Sequence, residues 1–242
     1  VSTKAGYDMW PGPYGNWGSR KSLMASLDQS LVRMGLDYVD VFYSHRYDPE
    51  TPLEETMQAL VDIVRQGKAL YVGLSRYPAD KAEEAYRYLE ARDVHRLLYQ
   101  GRYNLFDRAP EEEGILGQAR AYGVGFIAFS PLAQGLLTSR YLQGVPEDSR
   151  MAQGRFLKRE VLTEAVLEKI KALDRVAAER GQTLAEMSLA WVLKDELVTS
   201  VIIGASSVAQ LEDNLKALRK VDFSREELDR IEAICHTPDG GQ

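Results

Sequence analysis

The sequence is short of cysteine, histidine and long apolar runs, and each shortage excludes a class of protein. Cys235 is the single cysteine among 242 residues, so the chain cannot hold an internal disulfide, and this composition fits a reducing cytosol. The three histidines are scattered and show no metal-ligand spacing. We find no signal-peptide pattern and no apolar run long enough to cross a bilayer. We therefore predict a cytoplasmic protein with no metal site and no membrane partner.

Positively charged residues are fewer than negatively charged ones. The chain carries 30 Lys and Arg against 36 Asp and Glu, a formal net charge of −6. A nucleic-acid partner would favour a basic surface, so we predict no nucleic-acid binding. The hydrophobic content of 45% is ordinary for a globular protein, and 242 residues are the length of one barrel or one large α/β domain. We predict one domain over residues 1–242.

Strand-like and helix-like segments alternate along the chain, which favours a parallel sheet with helical crossovers. The predicted strands cover residues 1–4, 38–44, 67–75, 97–100, 125–129 and 199–203. Ser19 is the predicted N-cap of the first helix, the last crossover helix is predicted from Gln210 to Leu218, and Arg46 is expected to brace a strand end. A closed (β/α)8 barrel needs eight strand-plus-helix units, and the sequence supplies six. We therefore predict a (β/α)8 barrel that lacks its first two βα units. An open doubly wound sheet is the alternative.

The stretch from Gly125 to Thr138 has the pattern around which we expect the rest to be organised. It begins as a short apolar run, which predicts a strand buried on both faces. Pro131 then removes a backbone donor and ends the strand. The small residues, Gln134 and Gly135 that follow leave backbone N–H groups accessible to an anion. This pattern predicts a site for a phosphate-bearing ligand, although a plain strand-to-loop exit would also explain it.

Short motifs lie at the ends of these predicted strands. They are Ser2-Thr3-Lys4, the run from Asp37 to Arg46, Gly73-Leu74-Ser75-Arg76-Tyr77, Gln100-Gly101-Arg102-Tyr103-Asn104, Phe129-Ser130-Pro131-Leu132 and Ile203-Gly204-Ala205-Ser206. In this order the sequence closely resembles the aldo-keto reductases over essentially its whole length. Members of that family are (β/α)8 barrels that use NADPH to reduce aldehydes and ketones. The nearest branches are the bacterial L-glyceraldehyde 3-phosphate reductases and the β subunits of voltage-gated potassium channels.

The resemblance implies a catalytic role for two residues. Lys4 matches the lysine of the family's Asp, Tyr, Lys, His tetrad, where an ammonium group beside a tyrosine hydroxyl favours the phenolate. His45 matches the histidine that hydrogen-bonds to the substrate carbonyl. Without the resemblance, a surface lysine and a structural histidine would explain these positions. Trp10 and Tyr14, in the loop after Lys4, either wall a small apolar substrate pocket or pack against the barrel rim.

The sequence has no counterpart for the Asp and Tyr of the tetrad, which in the family lie on the second strand and the helix after it. Tyr7 and Tyr14 do not match that motif. We therefore expect either an N-terminal truncation of a longer protein or a chain that has lost its proton donor. In both cases the chain as given is expected to be a poor catalyst.

The resemblance also implies a cofactor site for NADPH or NADP+. Ser75, Arg76 and Gln100 would line the nicotinamide end, with the ring of Phe129 stacked on the nicotinamide. The pyrophosphate would be held by Ser130, Pro131, Leu132, Ala133 and Gln134, with Arg140 and Arg150 as charged partners, and the adenosine end by Gly204, Ser206, Gln210, Asp213 and Asn214. Gly204 and Gln210 stand where other members place a basic residue near the 2′-phosphate, which weakens the expected preference for NADPH over NADH.

We expect an NADPH-dependent reductase of small aldehydes or ketones, with glyceraldehyde 3-phosphate or methylglyoxal-like compounds as substrates. One alternative is an NADPH-binding redox-sensing subunit like the channel β subunits, against which His45 argues. Another is an inactive fragment, because strand edges near Val1 and Thr199 would then be exposed. Such edges promote self-pairing, so a homo-oligomer is expected.

Overall fold

The computed structural model describes residues 1–142 and 159–236, which contain six strands. The strands are β1 (Ser2–Ala5), β2 (Val39–Ser44), β3 (Ala69–Ser75), β4 (Arg96–Arg102), β5 (Gly125–Phe129) and β6 (Ser200–Ile202). They are hydrogen-bonded in the order of the sequence, and the pairs from β1 to β4 are parallel. A doubly wound sheet reverses its strand order at a switch point, and no reversal occurs among these six strands. The order is that of a partial (β/α)8 barrel, as predicted.

Helices connect the strands, as parallel neighbours require. The α-helices of the described residues are α1 (Arg20–Met34), α2 (Leu53–Arg65), α3 (Ala79–Glu90), α4 (Ala109–Glu112), α5 (Ile115–Ala121), α6 (Glu164–Glu179), α7 (Leu184–Val192), α8 (Val208–Leu215) and α9 (Arg225–Cys235). Short 3-10 turns lie at Ala133–Gly135, Ser139–Tyr141, Arg159–Val161 and Lys216–Arg219. The short α4 and these turns were not predicted from the sequence, because none is long enough to show a helical repeat.

The chain divides into two compact units. Unit 1 comprises Val1–Gly101 and Pro110–Ile127, and unit 2 comprises Arg102–Ala109 and Ala128–Gln242. The core of unit 1 is built on β2 and β3 and on the buried faces of α1 and α2, with Phe42, Leu27 and Leu60 fully buried. The core of unit 2 includes Leu173 on α6 and Met187 on α7, which are also fully buried.

Local signals set the helix ends. The Ser19 side chain accepts a hydrogen bond from the Ser22 N–H and begins α1, as predicted. Thr183 with Glu186, and Ser224 with Glu227, form capping boxes at the starts of α7 and α9. Each cap satisfies backbone donors that would otherwise lack a partner at the helix start.

Strand β5 has the predicted bounds, but its burial differs from the prediction. Buried residues alternate with partly exposed ones along Gly125–Phe129, so the strand is not buried on both faces. Phe126 and Ala128 are the buried positions. The sequence cannot distinguish a strand buried on both faces from one buried on a single face here, because all five residues are apolar or small and neither face carries a polar residue.

Candidate active site

The ends of β1 to β4 bring the predicted catalytic and nicotinamide residues of unit 1 to one edge of the sheet. The register pairs Lys4 with Tyr43, Ser44 with Leu74, and Ser75 with Gln100. His45 follows β2 directly, and its N–H donates to the Ala5 carbonyl at 2.8 Å. Parallel strands end at the same edge, so residues that are far apart in the sequence become neighbours there.

A hydrogen bond joins the two outer strands of this group. The Lys4 Nζ donates to the Gln100 Oε1 at 3.0 Å, although β2 and β3 lie between β1 and β4. Three strand spacings amount to about 14 Å in a flat sheet. The contact is explained by curvature of this part of the sheet, which directs both side chains inward. Lys4 and Gln100 are therefore brought together, as their shared placement in one site predicts.

Lys4 is half-buried, and burial lowers the pKa of its ammonium group. Its Nζ lies 5.9 Å from the centroid of the Tyr43 ring. Burial also raises the pKa of Tyr43 to about 12, so this tyrosine keeps its proton near neutral pH. Gln100 is buried, and its amide oxygen satisfies one of the Lys4 donors.

His45 lies beside three cations. Burial lowers its pKa to about 4, and the charges of Lys4, Arg76 and Arg46 act in the same direction. The imidazole is therefore neutral at pH 7, with one ring nitrogen as donor and the other as acceptor. A neutral imidazole can donate a hydrogen bond to a carbonyl oxygen, which is the role predicted for His45.

Tyr7 packs against His45, although Tyr7 does not match the tetrad motif. Its ring centroid is 4.6 Å from that of His45, with the two planes at 72°. Its hydroxyl accepts a hydrogen bond from Arg76 at 2.8 Å. Two features of the sequence could have indicated this contact. One is the aromatic loop directly after the Lys4 strand, and the other is the arginine that follows each of the next two strands, Arg46 and Arg76.

Arg46 packs between two rings of the same loop. Its guanidinium carbon lies 4.0 Å from the centroid of Tyr7 and 3.6 Å from that of Trp17. Its Nε donates to the Gly6 carbonyl, and a terminal nitrogen donates to the Asn16 Oδ1, both at 2.8 Å. We predicted that Arg46 braces the strand end, and these contacts agree with that prediction.

Trp10 and Tyr14 contact other groups. The Trp10 indole N–H donates to the Pro13 carbonyl at 3.4 Å, and the Tyr14 ring lies 4.7 Å from the Lys21 Nζ. Tyr14 is 51% exposed. Among the described residues, the aromatic ring in edge-to-face contact with His45 is that of Tyr7, and not that of Trp10 or Tyr14. Their role in a substrate pocket stays a prediction.

The backbone is strained where β3 ends. Ser75 is buried and ends the strand, and Arg76 follows with a φ of 52°. A left-handed φ costs a non-glycine residue about 1–3 kcal/mol and occurs most often at functional sites. The strain directs the chain away from the sheet directly after Ser75, one of the residues predicted to hold the nicotinamide.

Unit 2 shows the same feature after β5. Ser130, Ala133 and Gln134 have φ values of 54°, 47° and 60°. The Ser130 carbonyl accepts a hydrogen bond from the Asn104 Nδ2 at 3.0 Å, which fixes the chain directly after Phe129. This bent segment contains all five residues predicted to surround the pyrophosphate, namely Ser130, Pro131, Leu132, Ala133 and Gln134. Arg140 lies on the next 3-10 turn, and Arg150 falls outside the described residues.

The residues predicted at the adenosine end lie before α8 (Gly204 and Ser206) and along it (Gln210, Asp213 and Asn214). The Gln210 Oε1 accepts from the backbone N–H and the hydroxyl of Ser206, at 2.7 and 3.0 Å. Asp213 forms an ion pair with Lys216 at 2.6 Å. Asn214 is buried, and its Nδ2 has no hydrogen-bond partner within the part of the chain that the structure describes. A buried donor without an acceptor is costly, so this amide is suited to a ligand that supplies one.

The described residues contain no group of three or more His, Cys, Asp or Glu side chains that could hold a metal ion. Nor do they include a helix with the length and apolar character that a membrane span requires.

The model of the aldo/keto reductase family matches residues 1–236. The chain is 53% identical over 244 residues to an L-glyceraldehyde 3-phosphate reductase of Escherichia coli O157:H7, covering 99% of this chain and 70% of that protein. It is 38% identical to a probable voltage-gated potassium channel subunit beta of Oryza sativa subsp. japonica, and 37% identical to one of Arabidopsis thaliana. Each of these two matches covers 98% of this chain and 74% of the relative.

Proposed function

This chain belongs to the aldo/keto reductase family, and from that premise we propose that its site serves the NADPH-dependent reduction of small aldehydes and ketones. The observation that carries the proposal is the convergence of Lys4, His45, Ser75 and Gln100 at the ends of four neighbouring strands. The direct hydrogen bond between Lys4 and Gln100 supports it, because it joins a tetrad residue to a residue of the nicotinamide end.

A bound NADPH would supply a hydride to the carbonyl carbon, and the proton for the oxygen would come from the tyrosine of the tetrad, for which residues 1–242 have no counterpart. His45 is neutral at pH 7 and donates a hydrogen bond to the carbonyl oxygen, which orients the substrate and polarises the bond to be reduced. Lys4 places a positive charge near the same oxygen, where negative charge develops. The buried polar groups of Ser75 and Gln100 would hydrogen-bond to the carboxamide of the nicotinamide and so orient the ring towards the substrate.

The residues of unit 2 fit the remainder of a dinucleotide. The Asn214 amide, a donor that lacks a partner in the described chain, would donate to an acceptor of the adenosine end. Ser206 and Gln210 supply further polar groups beside it. In the bent segment after Phe129, the N–H groups of Ala133 and Gly135 donate to the Ser130 and Leu132 carbonyls, so the remaining N–H groups of the segment would be those that hold the pyrophosphate. We propose NADPH rather than NADH as the cofactor. The preference is modest, because Gln210 stands where other members of the family place a basic residue.

The similarity to an L-glyceraldehyde 3-phosphate reductase supports a small phosphorylated or methylglyoxal-like aldehyde as substrate. The net charge of −6 supports a protein that does not bind nucleic acid, and the single cysteine supports a cytoplasmic location. We also propose that the chain forms a homo-oligomer.

A second function is a redox-sensing subunit, and the similarity to the two potassium channel β subunits favours it. Such a subunit would bind the same cofactor and associate with a membrane protein. Co-purification of the chain with a membrane protein from its own cells would favour this function over the reductase.

A fluorescence titration with NADPH and, separately, with NADH tests the cofactor proposal. We expect saturable binding of both, with tighter binding of NADPH. Asn214→Ala should weaken NADPH binding about five-fold, which corresponds to the loss of one hydrogen bond of about 1 kcal/mol. Glu212→Ala, an exposed position on the same helix, is the control and should bind as the unchanged chain does. A folded chain that binds neither nucleotide would contradict the proposal.

A further inference from the structure

The loop between β1 and α1 passes next to the candidate active site of unit 1, and one side chain anchors it. Arg46, which directly follows His45, contacts this loop at four places. Its guanidinium lies 4.0 Å from the ring centroid of Tyr7 and 3.6 Å from that of Trp17, and it donates to the Gly6 carbonyl and to the Asn16 Oδ1. These contacts reach both ends of the loop.

The anchor also constrains the backbone of the loop. The Asn16 Oδ1 that accepts from Arg46 accepts a second hydrogen bond, from the Trp17 N–H at 2.8 Å. Trp17 has a left-handed φ of 63°, a conformation that needs support from its surroundings. At the other end, a Cβ on Gly6 would lie 3.2 Å from the Cβ of His45, so the loop leaves β1 in close contact with His45.

Tyr7 is the part of the loop that this anchor places over the site. Its ring packs on Arg46, its centroid lies 4.6 Å from that of the His45 ring in an edge-to-face arrangement, and its hydroxyl accepts from Arg76 at 2.8 Å. The ring thus covers one side of the imidazole, and its position is determined from three directions.

We propose that Arg46 is a positioning residue that holds Tyr7 against His45, and that Tyr7 is thereby a wall of the site that selects small carbonyl compounds over bulky ones. The selectivity rests on the proposed function, whereas the positioning does not. A planar guanidinium can stack between two rings and donate in its own plane at the same time, and the ammonium of lysine cannot reproduce that arrangement.

The experiment is histidine NMR on the intact chain, which is practicable because the chain has three histidines. The His45 signal is assigned by its loss in His45→Gln. Tyr7→Leu defines the change in chemical shift that follows loss of the ring. Arg46→Lys should shift the His45 signal in the same direction and by most of that change, while the signals of His95 and His236 stay in place.

Arg92→Lys is the matched control. The guanidinium of Arg92 also stacks on a tyrosine, 3.4 Å from the centroid of Tyr88, away from the site. This variant should leave the His45 signal unchanged. A His45 signal in Arg46→Lys at its original position would overturn the proposal. If the circular dichroism of Arg46→Lys shows that it is not folded, Trp17→Leu takes its place, because it removes one of the two rings that contact Arg46. The position of the His45 signal in Trp17→Leu is then read in the same way.

Selectivity is read from the reduction of a small aliphatic and a bulky aromatic aldehyde. Arg46→Lys should lower the ratio of their kcat/KM values about tenfold, the size of effect that one pocket contact has. An unchanged ratio in an active variant would overturn the selectivity. Absence of any reduction by the unchanged chain would contradict the proposed function, and the NMR result would then still decide whether Arg46 positions Tyr7.

Discussion

Among single residues, the charge state of His45 has the largest consequence. Its imidazole is half-buried and lies near Lys4, Arg76 and Arg46, so the folded chain resists its protonation. The sequence predicted the position of His45 at a strand end. It did not predict the low pKa, because two of the three cations that face the ring belong to other strand ends.

The low pKa of His45 makes the stability of the fold depend on pH. The pKa is about 4 in the folded chain and about 6.5 in the unfolded chain. Between these values the unfolded chain binds a proton that folded His45 does not, so the free energy of unfolding falls as the pH drops from about 6.5 towards 4. Above pH 6.5 this loss is absent.

His45→Gln should therefore make the free energy of unfolding less dependent on pH between 4.5 and 6.5. Urea unfolding at several pH values measures this dependence. Ser30→Ala on α1, far along the chain from the site, is the control and should keep the original slope. An equal slope in His45→Gln and the unchanged chain would show that His45 titrates normally.

At the scale of the elements, the sequence predicted most of what is local. All six strands were predicted close to their observed positions, and Ser19 was predicted as the cap of α1. Helix α8 begins at Val208, two residues before the predicted start, because Ser207 caps it. What the sequence could not supply are contacts between elements, such as the packing of Arg46 between Tyr7 and Trp17.

The pairing of β2 with β3 depends on a glycine. Tyr43 lies opposite Gly73 in the register, and a Cβ on Gly73 would lie 2.4 Å from the Tyr43 ring and 2.9 Å from the Leu98 carbonyl. Gly73→Ala should therefore lower the free energy of unfolding by about 1–3 kcal/mol, measured by urea unfolding, because the added methyl group overpacks the strand pair.

The control for this prediction is Gly117→Ala. Gly117 lies within α5, and a Cβ there would have no atom within 4 Å. Alanine is a better helix former than glycine, so this variant should be as stable as the unchanged chain or up to about 1 kcal/mol more stable. Equal stability of both variants would show that the sheet tolerates a side chain at Gly73.

At the scale of the whole molecule, an exposed apolar face on unit 2 bears on assembly. Val208, Leu211 and Leu215 lie on one face of α8 and are 74%, 41% and 52% exposed. Leu218 follows in the next turn and is 60% exposed. Contiguous apolar surface of this kind is characteristic of association sites.

We expect the chain to self-associate through this face. Leu211→Lys with Leu215→Lys should shift the molar mass measured by light scattering after size exclusion towards 27.2 kDa, the mass of one chain. Val32→Lys on α1 adds charge at another exposed apolar residue, which is 83% exposed, and should leave the mass of the assembly unchanged. A single chain at every concentration before substitution would contradict the prediction.

We expect residues 1–242 to unfold as one domain. The boundaries of the two units fall between Gly101 and Arg102 in β4, between Ala109 and Pro110 in α4, and between Ile127 and Ala128 in β5. Separate unfolding of either unit would have to interrupt both strands within their length. We therefore expect one cooperative transition, in which probes in the two units report the same urea midpoint.

The sequence supplies a probe for each unit. In Trp191→Phe, the fluorescence comes from Trp10 and Trp17, which both belong to unit 1. Cys235 belongs to unit 2, and burial raises the pKa of its thiol to about 11, so the folded chain resists alkylation. Pulse alkylation of Cys235 and fluorescence, both measured on this variant, should give coincident urea curves. Separate midpoints would show two domains, because each unit would then lose its core while the other kept its own.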